Sequence, residues 1–108
     1  MSDTAGHALV LTTTGKEEAA EELAGKIVAS GFGACVQVLP IRSFYKWKGE
    51  TCRDREWLLL VKTRAGLFSG LEEFIRANHP YEIPEIVQLP IERGFSRYLA
   101  WIDENTRS

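Results

Sequence analysis

The spacing of apolar residues along the chain alternates between the two periods that are typical of strands and helices. Residues 8–12 form a short apolar run and predict a buried first strand. The next apolar residues recur every three or four positions, which predicts a helix that ends at Gly31. Its start matches a capping box, in which Thr14 and Glu17 satisfy the first backbone N–H groups. The expected buried stripe of this helix is Ala20, Leu23, Ala24, Ile27 and Val28.

The middle of the chain predicts a long β-hairpin. Residues 34–38 form a second strand, and Pro40 should lie at a sheet edge or a bulge because proline donates no ladder hydrogen bond. Residues 42–48 continue with a period of two, which is typical of a strand. We expect the chain to reverse at residues 49–52 and to return as a third strand over residues 55–64. One face of the outgoing strand carries Ser43, Tyr45 and Trp47.

The third strand is apolar at both alternating positions. Its central residues are Trp57, Leu58, Leu59, Leu60 and Val61. Helices can cover only one face of such a sheet, and two strands that project beyond a core are not stable alone in water. We therefore expect another copy of the chain to cover the second face, in an assembly with closed symmetry.

The second half of the chain predicts a helix, a strand and a closing helix. The helix stripe is Leu67, Phe68, Leu71, Phe74 and Ile75. Residues 85–91 predict a fourth strand near a sheet edge because Pro90 interrupts it. Residues 96–105 predict a last helix, for which Tyr98, Leu99, Trp101 and Ile102 are available to pack. The order β-α-β-β-α-β-α predicts one α+β domain over residues 1–108, a ferredoxin-like split βαβ sandwich with a long hairpin and an added C-terminal helix.

The composition is that of an ordinary globular chain, with 44% hydrophobic and 26% charged residues, which excludes the disordered and fibrous classes. The formal net charge of −2 argues against a general nucleic-acid-binding protein. Seven Lys or Arg and three Asp or Glu lie between Arg42 and Arg64, so this region could attract an anion. The hairpin aromatics and lysines point to opposite faces, which argues against a single-strand nucleic-acid platform.

The two cysteines, Cys35 and Cys52, are too few for a one-chain zinc site or a disulfide framework. We interpret Cys35 as a core thiol and Cys52 as an exposed thiol near the reversal. No run approaches about eighteen apolar residues, and Ser2-Asp3-Thr4 offers no basic leader. We therefore expect no membrane span, no export and a cytoplasmic location.

A stiff polar connector spans residues 78–86, Asn-His-Pro-Tyr-Glu-Ile-Pro-Glu-Ile. Each proline restricts the residue before it to extended geometry, so that His79 and Ile83 should be extended and the helix should end near Asn78. A histidine held in this way is pre-positioned. The connector is therefore the best candidate for a functional site.

Several ordered blocks of the chain together match one protein family. They are Ala34-Cys35-Val36 with Pro40; Ser43, Tyr45, Trp47 and Gly49; Glu56; Val61-Lys62-Thr63; His79-Pro80-Tyr81-Glu82 with Pro84-Glu85-Ile86; and Tyr98-Leu99 with Trp101-Ile102. Over nearly its whole length the chain resembles the CutA divalent-ion tolerance proteins. The resemblance implies a ferredoxin-like subunit in a tight homotrimer, in which long hairpins extend the sheet of one subunit to the next.

The same resemblance has implications for ligands. The implied trimer is similar to that of the PII signalling proteins, which bind small effectors in clefts between subunits, and some CutA proteins bind copper. Where copper ligands are described, they are a cysteine at the end of the first strand and two adjacent histidines before Pro-Tyr. The aligned residues here are Thr12, Asn78 and His79, so only the histidine remains. Because Cu(I) prefers thiolate, the family transfers to this sequence better than the metal site does.

The candidate metal site is His79, with Glu82 and Glu85 as oxygen ligands for a weakly bound copper or zinc ion. In the alternative interpretation, His79 is a hydrogen-bonded residue that fixes the connector at a subunit cleft, while one glutamate is solvated and the other caps or pairs with a basic residue.

The candidate ligand cleft is formed by Lys62, Tyr81 and Glu56. Lys62 either binds an anion or forms an ion pair with Glu56 or Glu85, because a buried unpaired ammonium group is unfavourable. Tyr45 and Trp47 are expected to pack against a neighbouring subunit at the trimer hairpin.

No catalytic pair stands at a suitable spacing. The fold class hosts acyl phosphate hydrolysis, but residues 12–15 lack the arginine that this reaction needs. We therefore expect a non-enzymatic homotrimer implicated in divalent metal (copper) tolerance, which binds a metal ion or a small ligand weakly at inter-subunit clefts. The alternative is a PII-like signalling or structural trimer that binds a metabolite or a partner protein and has no direct metal role.

Overall fold

Seven regular elements follow one another along the chain. They are β1 (His7–Thr14), α1 (Glu17–Ser30), β2 (Cys35–Trp47), β3 (Glu50–Arg64), α2 (Phe68–Ala77), β4 (Ile86–Ile91) and α3 (Ser96–Glu104). A 3-10 turn, Ala65–Leu67, leads into α2. The computed structural model describes residues 6–108. The segment Ser2-Asp3-Thr4, from which we predict no leader, lies outside the described residues.

The four strands form one sheet in the order β2-β3-β1-β4, with every neighbouring pair antiparallel. Strands β1 and β2, which α1 connects, are separated by β3, and this is the split βαβ arrangement. The predicted α+β, ferredoxin-like fold with an added C-terminal helix is therefore confirmed. Pro40 lies in β2 and Pro90 in β4, and both are edge strands, as the missing N–H of proline requires.

The core lies between one face of the sheet and helices α1 and α2. Its buried residues are Val10, Ala20, Leu23, Ile27, Leu59, Val61, Leu71 and Ile75. The prediction that Val28 belongs to the buried stripe of α1 is wrong, because its side chain is 44% exposed. The end of α1 at Gly31 is confirmed by a left-handed backbone, with φ of 81°.

The predicted capping box at the start of α1 is wrong. Lys16 occupies the N-cap position, and no side chain caps the helix there. The hydroxyl of Thr14 instead donates a 2.9 Å hydrogen bond to the Lys16 carbonyl oxygen. Thr14 is the last residue of β1, so the strand extends two residues beyond the apolar run that predicts it.

The second face of the sheet is covered only at one end. His7 Nε2 lies 2.9 Å from Asp103 Oδ1, and Arg64 Nε donates a 2.9 Å hydrogen bond to Thr106 Oγ1, which places α3 and the residues after it against that end. The rest is mainly apolar, and we call it the open face. Its apolar residues are Leu9, Leu11, Leu39, Leu58, Leu60, Val87 and Leu89, and the polar residues Gln37 and Lys62 lie beside them. The predicted two-faced character of the sheet is present in the structure.

The closing helix α3 buries less than its pattern predicts. Ile102 is fully buried, whereas Tyr98 and Trp101 are exposed and stack on each other with ring centroids 5.6 Å apart. These two aromatics, which the pattern makes available to pack, are therefore not part of the core of the single chain. A period of 3.6 residues identifies an apolar stripe but does not say what covers it.

Strands β2 and β3 project beyond the rest of the sheet as a two-stranded arm, residues 41–56. Strand β1 pairs with β3 only as far as Trp57, so no third strand joins the arm within residues 6–108. The chain reverses at Lys48-Gly49, with φ of 52° and 82°, and Trp47 pairs directly with Glu50. Two left-handed residues are typical of a type I′ turn, so the predicted reversal at residues 49–52 is wrong by two residues. Cys52 consequently lies inside β3, half-buried.

Candidate functional site

The connector begins where α2 ends, and Asn78 belongs to the helix end. Its side-chain amide donates a 2.8 Å hydrogen bond to the Phe74 carbonyl oxygen, and its Oδ1 atom accepts a 3.5 Å hydrogen bond from Lys26 Nζ. The His79-Pro80 step then prevents further helix. The predicted end of the helix near Asn78 is confirmed.

Both ring nitrogens of His79 are held by backbone groups. The N–H of Tyr81 donates a 3.1 Å hydrogen bond to Nδ1. The ring hydrogen therefore lies on Nε2, which donates to the Thr13 carbonyl oxygen 2.5 Å away. The ring also meets the Tyr81 ring edge-on, with centroids 4.7 Å apart. These contacts join the connector to the end of β1 and leave neither nitrogen of this conformation free for an ion.

Two phenol–carboxylate pairs lie at the cavity side of the arm, and one of them links the arm to the connector. The hydroxyl of Tyr81 donates a 2.9 Å hydrogen bond to Glu56 Oε2, and Glu56 is buried. Burial, followed by the hydrogen bond to Glu56, raises the pKa of Tyr81 to about 12. The hydroxyl of Tyr45 donates to Asp54 Oδ2, and this hydrogen bond is the main cause that raises the pKa of Tyr45 to about 12. Both tyrosines are therefore neutral donors at physiological pH.

A cavity of about 610 Å³ separates the arm from the connector. Six of the predicted site residues line it, namely Tyr45, Trp47, Glu56, Tyr81, Glu82 and Glu85. Its wall therefore combines aromatic rings with three carboxylates, of which only that of Glu56 is buried. The cavity could hold a small molecule between apolar rings and acceptor oxygens.

Two predicted site residues lie elsewhere. Lys62 is on the open face, where its Nζ atom donates a hydrogen bond to Gln37 Oε1, so the predicted ion pair with Glu56 or Glu85 is wrong. Thr12 is fully buried on the helix-covered face, and its Oγ1 atom has no hydrogen-bond partner among the described residues. Adjacent strand residues point to opposite faces, which is why Thr13 lines the cavity and Thr12 does not.

The donor set does not fit a tight copper or zinc centre. Between Gly6 and Ser108, no three His, Cys, Asp or Glu side chains lie close enough together to hold an ion. Such centres use three or four ligands, usually including thiolate or imidazole. His79 is already bonded through both nitrogens, and Thr12 offers no thiolate.

Sequence reasoning overlooked two participants in the site, the carbonyl group of Thr13 and the carboxylate of Asp54. Asp54 pairs with Ser43 across the arm and so lies diagonal to Tyr45. The period of two in both strands would have found this pair once the turn was placed at Lys48-Gly49. Every residue has a backbone carbonyl group, so the sequence does not indicate that the carbonyl group of Thr13 is the hydrogen-bond partner of His79.

Comparison with known proteins identifies the family of the chain. The family described as "CutA1 divalent ion tolerance protein" matches residues 8–105. The chain belongs to this family. It is 46% identical over 99 residues to the divalent-cation tolerance protein CutA of Thermus thermophilus, an alignment that covers 91% of this chain and 96% of that protein. The crystal structure of CutA1 from Oryza sativa superposes with a TM-score of 0.94 at 41% identity and covers 99% of both chains.

The CutA relatives differ in length and in location. The chain is 41% identical over 107 residues to "Protein CutA 1, chloroplastic" of Oryza sativa. This alignment covers 98% of this chain but only 60% of the rice protein. That relative is named for a compartment other than the cytoplasm, so the cytoplasmic location of this CutA chain stays a prediction. No helix within residues 6–108 is long and apolar enough to cross a membrane.

Proposed function

We propose that this CutA chain acts as a non-enzymatic homotrimer implicated in divalent metal tolerance. The observation that carries the proposal is the open face of the sheet, where Leu39, Val87 and Leu89 are 38%, 44% and 47% exposed. A contiguous apolar surface of this kind marks a site of association. The number of copies follows from the resemblance to the CutA and PII-like trimers. Tyr45 and Trp47, both exposed on the arm, would pack against the neighbouring subunit.

The ligand site in this proposal is the cavity between arm and connector, completed by a second subunit. A divalent ion such as Cu²⁺ or Zn²⁺ would bind weakly through the exposed carboxylates of Glu82 and Glu85. His79 could add a nitrogen only after one of its two hydrogen bonds breaks, which lowers the affinity. Weak binding therefore agrees with the geometry, whereas tight copper binding does not.

The trimer is tested by native mass spectrometry of protein purified without chelator or affinity tag. We expect three copies of the 12.2 kDa chain. The variant Leu89→Lys should dissociate them, because a charge on the open face cannot be buried without a partner. Val28→Lys is a matched control, since Val28 in α1 is 44% exposed and lies away from the open face. A wild-type monomer, or a trimer that survives Leu89→Lys, would contradict the proposal.

The ion site is tested separately by calorimetric titration of the trimer with Zn²⁺ and Cu²⁺. We expect a dissociation constant far weaker than that of a structural zinc site, and Glu82→Gln should weaken binding further while the trimer persists. Glu104→Gln at the end of α3 serves as a charge-matched control. His79→Ala should weaken binding only by the contribution of its added nitrogen. Equal binding by wild type and Glu82→Gln would exclude the proposed carboxylate site, and equal binding by wild type and His79→Ala would remove His79 from it.

A second candidate is a PII-like signalling or structural trimer whose ligand is a metabolite or a partner protein. The observation that favours it is the aromatic lining of the cavity, Tyr45, Trp47 and Tyr81, which suits an organic molecule better than an ion. A native trimer that carries an unexplained small mass and no metal would favour this second function over the first.

A further inference from the structure

The arm carries its basic and acidic side chains on opposite faces. The register pairs Arg42 with Arg55 and Phe44 with Arg53. Directly opposed residues share a face, and residues two apart along a strand share it too, so all three arginines lie on one side. Lys46 is the fourth basic residue there. The other side carries the acidic residues of the arm, Glu50, Asp54 and Glu56.

The chain itself does not neutralise this basic face. Across residues 6–108, ion pairs within 4.0 Å join His7 with Asp103 and Lys26 with Glu22, and none involves an arginine of the arm. Arg53 instead lies over the Phe44 ring, 5.7 Å from its centroid. Like charges placed directly opposite each other destabilise a strand pair. An anion bound between Arg42 and Arg55 would relieve this repulsion.

The three guanidinium groups surround a concave space rather than a flat surface. A cavity of about 880 Å³ is lined by Arg42, Arg53 and Arg55, together with the apolar side chains of Pro40, Phe44 and Trp57. Glu56 also lines this cavity, but Glu56 Oε2 already accepts the hydrogen bond from Tyr81. This volume falls within the range of small-molecule sites.

We propose that this basic cavity binds a small phosphate-bearing anion, with a diphosphate or triphosphate group as the ligand class. Guanidinium groups form paired hydrogen bonds to phosphate oxygens, and they remain charged at all relevant pH values. The three positive charges exceed the negative charge of a single phosphate group, whereas a diphosphate or triphosphate group matches them more closely. The basic cavity shares Phe44 and Glu56 with the carboxylate-lined cavity, but its three arginines line it alone, and it does not depend on metal binding.

The acidic surface of α1 in another copy of the chain is a competing occupant. Its glutamates, Glu17, Glu18, Glu21 and Glu22, follow the convex surface of a helix. The convex surface of a helix fits poorly into a concave space, whereas a compact polyanion can enter it and contact all three arginines at once. We therefore favour the phosphate ligand, and the experiment below distinguishes the two.

The test is calorimetric titration of the full chain with inorganic pyrophosphate at about 150 mM salt, where diffuse surface attraction is largely screened. We expect saturable binding that Arg55→Gln and Arg42→Gln each weaken about tenfold or more. The control Arg93→Gln removes the same charge from the exposed loop before α3 and should change the affinity less than threefold. Without pyrophosphate, the melting temperature of Arg55→Gln should equal or exceed that of wild type, because a repulsive pair is lost.

The same titration with ADP identifies the source of the phosphate group. If ADP binds at least tenfold more tightly than pyrophosphate and Phe44→Ala removes this difference, the apolar wall of the cavity contacts the nucleotide base. Equal affinities assign the site to inorganic phosphate chains. Absence of saturable binding, or equal weakening by Arg93→Gln, overturns the proposal. Binding that emerges only in the double variant Glu18→Gln/Glu21→Gln also overturns it, since α1 of another copy would then occupy the cavity.

Discussion

The hydroxyl of Tyr81 donates a 2.9 Å hydrogen bond to Glu56 Oε2 and thereby ties the connector to the base of the arm. The carboxylate of Glu56 is buried, so it depends on this donor. His79 reinforces the same junction, because its ring accepts the Tyr81 N–H and donates to the Thr13 carbonyl oxygen. The shape of the proposed ligand cavity is therefore set by the link between Tyr81 and Glu56.

The first prediction concerns alkaline pH. The pKa of Tyr81 in the folded chain is raised to about 12, above its unfolded value of about 10, because burial and Glu56 favour the neutral phenol. This contribution to the free energy of unfolding is complete below pH 10 and is lost as the pH rises toward 12. Urea unfolding of wild type should show this loss, and Tyr81→Phe should show a smaller one.

The control for this prediction is the absorbance of ionised tyrosine during alkaline titration. Tyr81→Phe should remove one phenol that ionises near pH 12. Tyr45 keeps its own raised pKa of about 12 in this variant, so part of the alkaline loss should persist. If Tyr81→Phe instead removes a phenol that ionises near pH 10, the hydrogen bond to Glu56 does not exist in solution.

The second prediction concerns the hydroxyl group of Thr12. This side chain is fully buried, and its Oγ1 atom finds no hydrogen-bond partner among the described residues. An unsatisfied buried hydroxyl costs about 1–3 kcal/mol. Thr12→Val keeps the shape and removes the polar atom, so it should raise the free energy of unfolding by about 1 kcal/mol, measured by urea denaturation.

Thr63→Val is the matched control for Thr12→Val. Thr63 is equally buried on the same face of the sheet, but its Oγ1 atom donates a 2.6 Å hydrogen bond to the Phe32 carbonyl oxygen. Its replacement should therefore lower the free energy of unfolding by about 1 kcal/mol. If both variants are destabilised alike, Thr12 has a partner in the folded protein.

The sequence predicted those features that are determined locally. Gly31 ends α1 because it adopts a left-handed backbone, and the His79-Pro80 step ends α2 because proline excludes helical geometry before it. The order of the strand and helix patterns also predicted the long hairpin and the α+β fold, and the family resemblance implied the same fold. These signals act within a few residues, so the pattern alone contains them.

The errors concern contacts between distant parts of the chain. Lys62 binds Gln37 rather than a glutamate because the register of β2 and β3 places Lys62 and Gln37 diagonally across the two strands. That register depends on the position of the turn, which the sequence prediction misplaced by two residues. Tyr98 and Trp101 form an apolar stripe, but no pattern states whether the same chain or another one covers it. The single domain over residues 1–108 and the metal ligands stay predictions.

The last prediction compares two glycines. Gly25 lies within α1, and a Cβ atom there would meet nothing within 4 Å, so Gly25→Ala should stabilise the protein by about 0.5–1 kcal/mol through helix propensity. A Cβ atom at Gly33 would lie 2.6 Å from Val61 Cγ1 and 2.9 Å from Ile27 Cγ2, both fully buried. Gly33→Ala must shift the core and should cost about 1–3 kcal/mol.

Urea unfolding at one fixed protein concentration checks both glycine variants, because association makes the apparent stability depend on concentration. Gly25→Ala is the internal control, since it adds the same methyl group on the solvent side of the helix. If Gly33→Ala is as stable as wild type, α1 is not packed against β3 as closely as the contacts of Ile27 and Val61 require. The edge of the core beneath the start of β2 would then be looser than the geometry indicates.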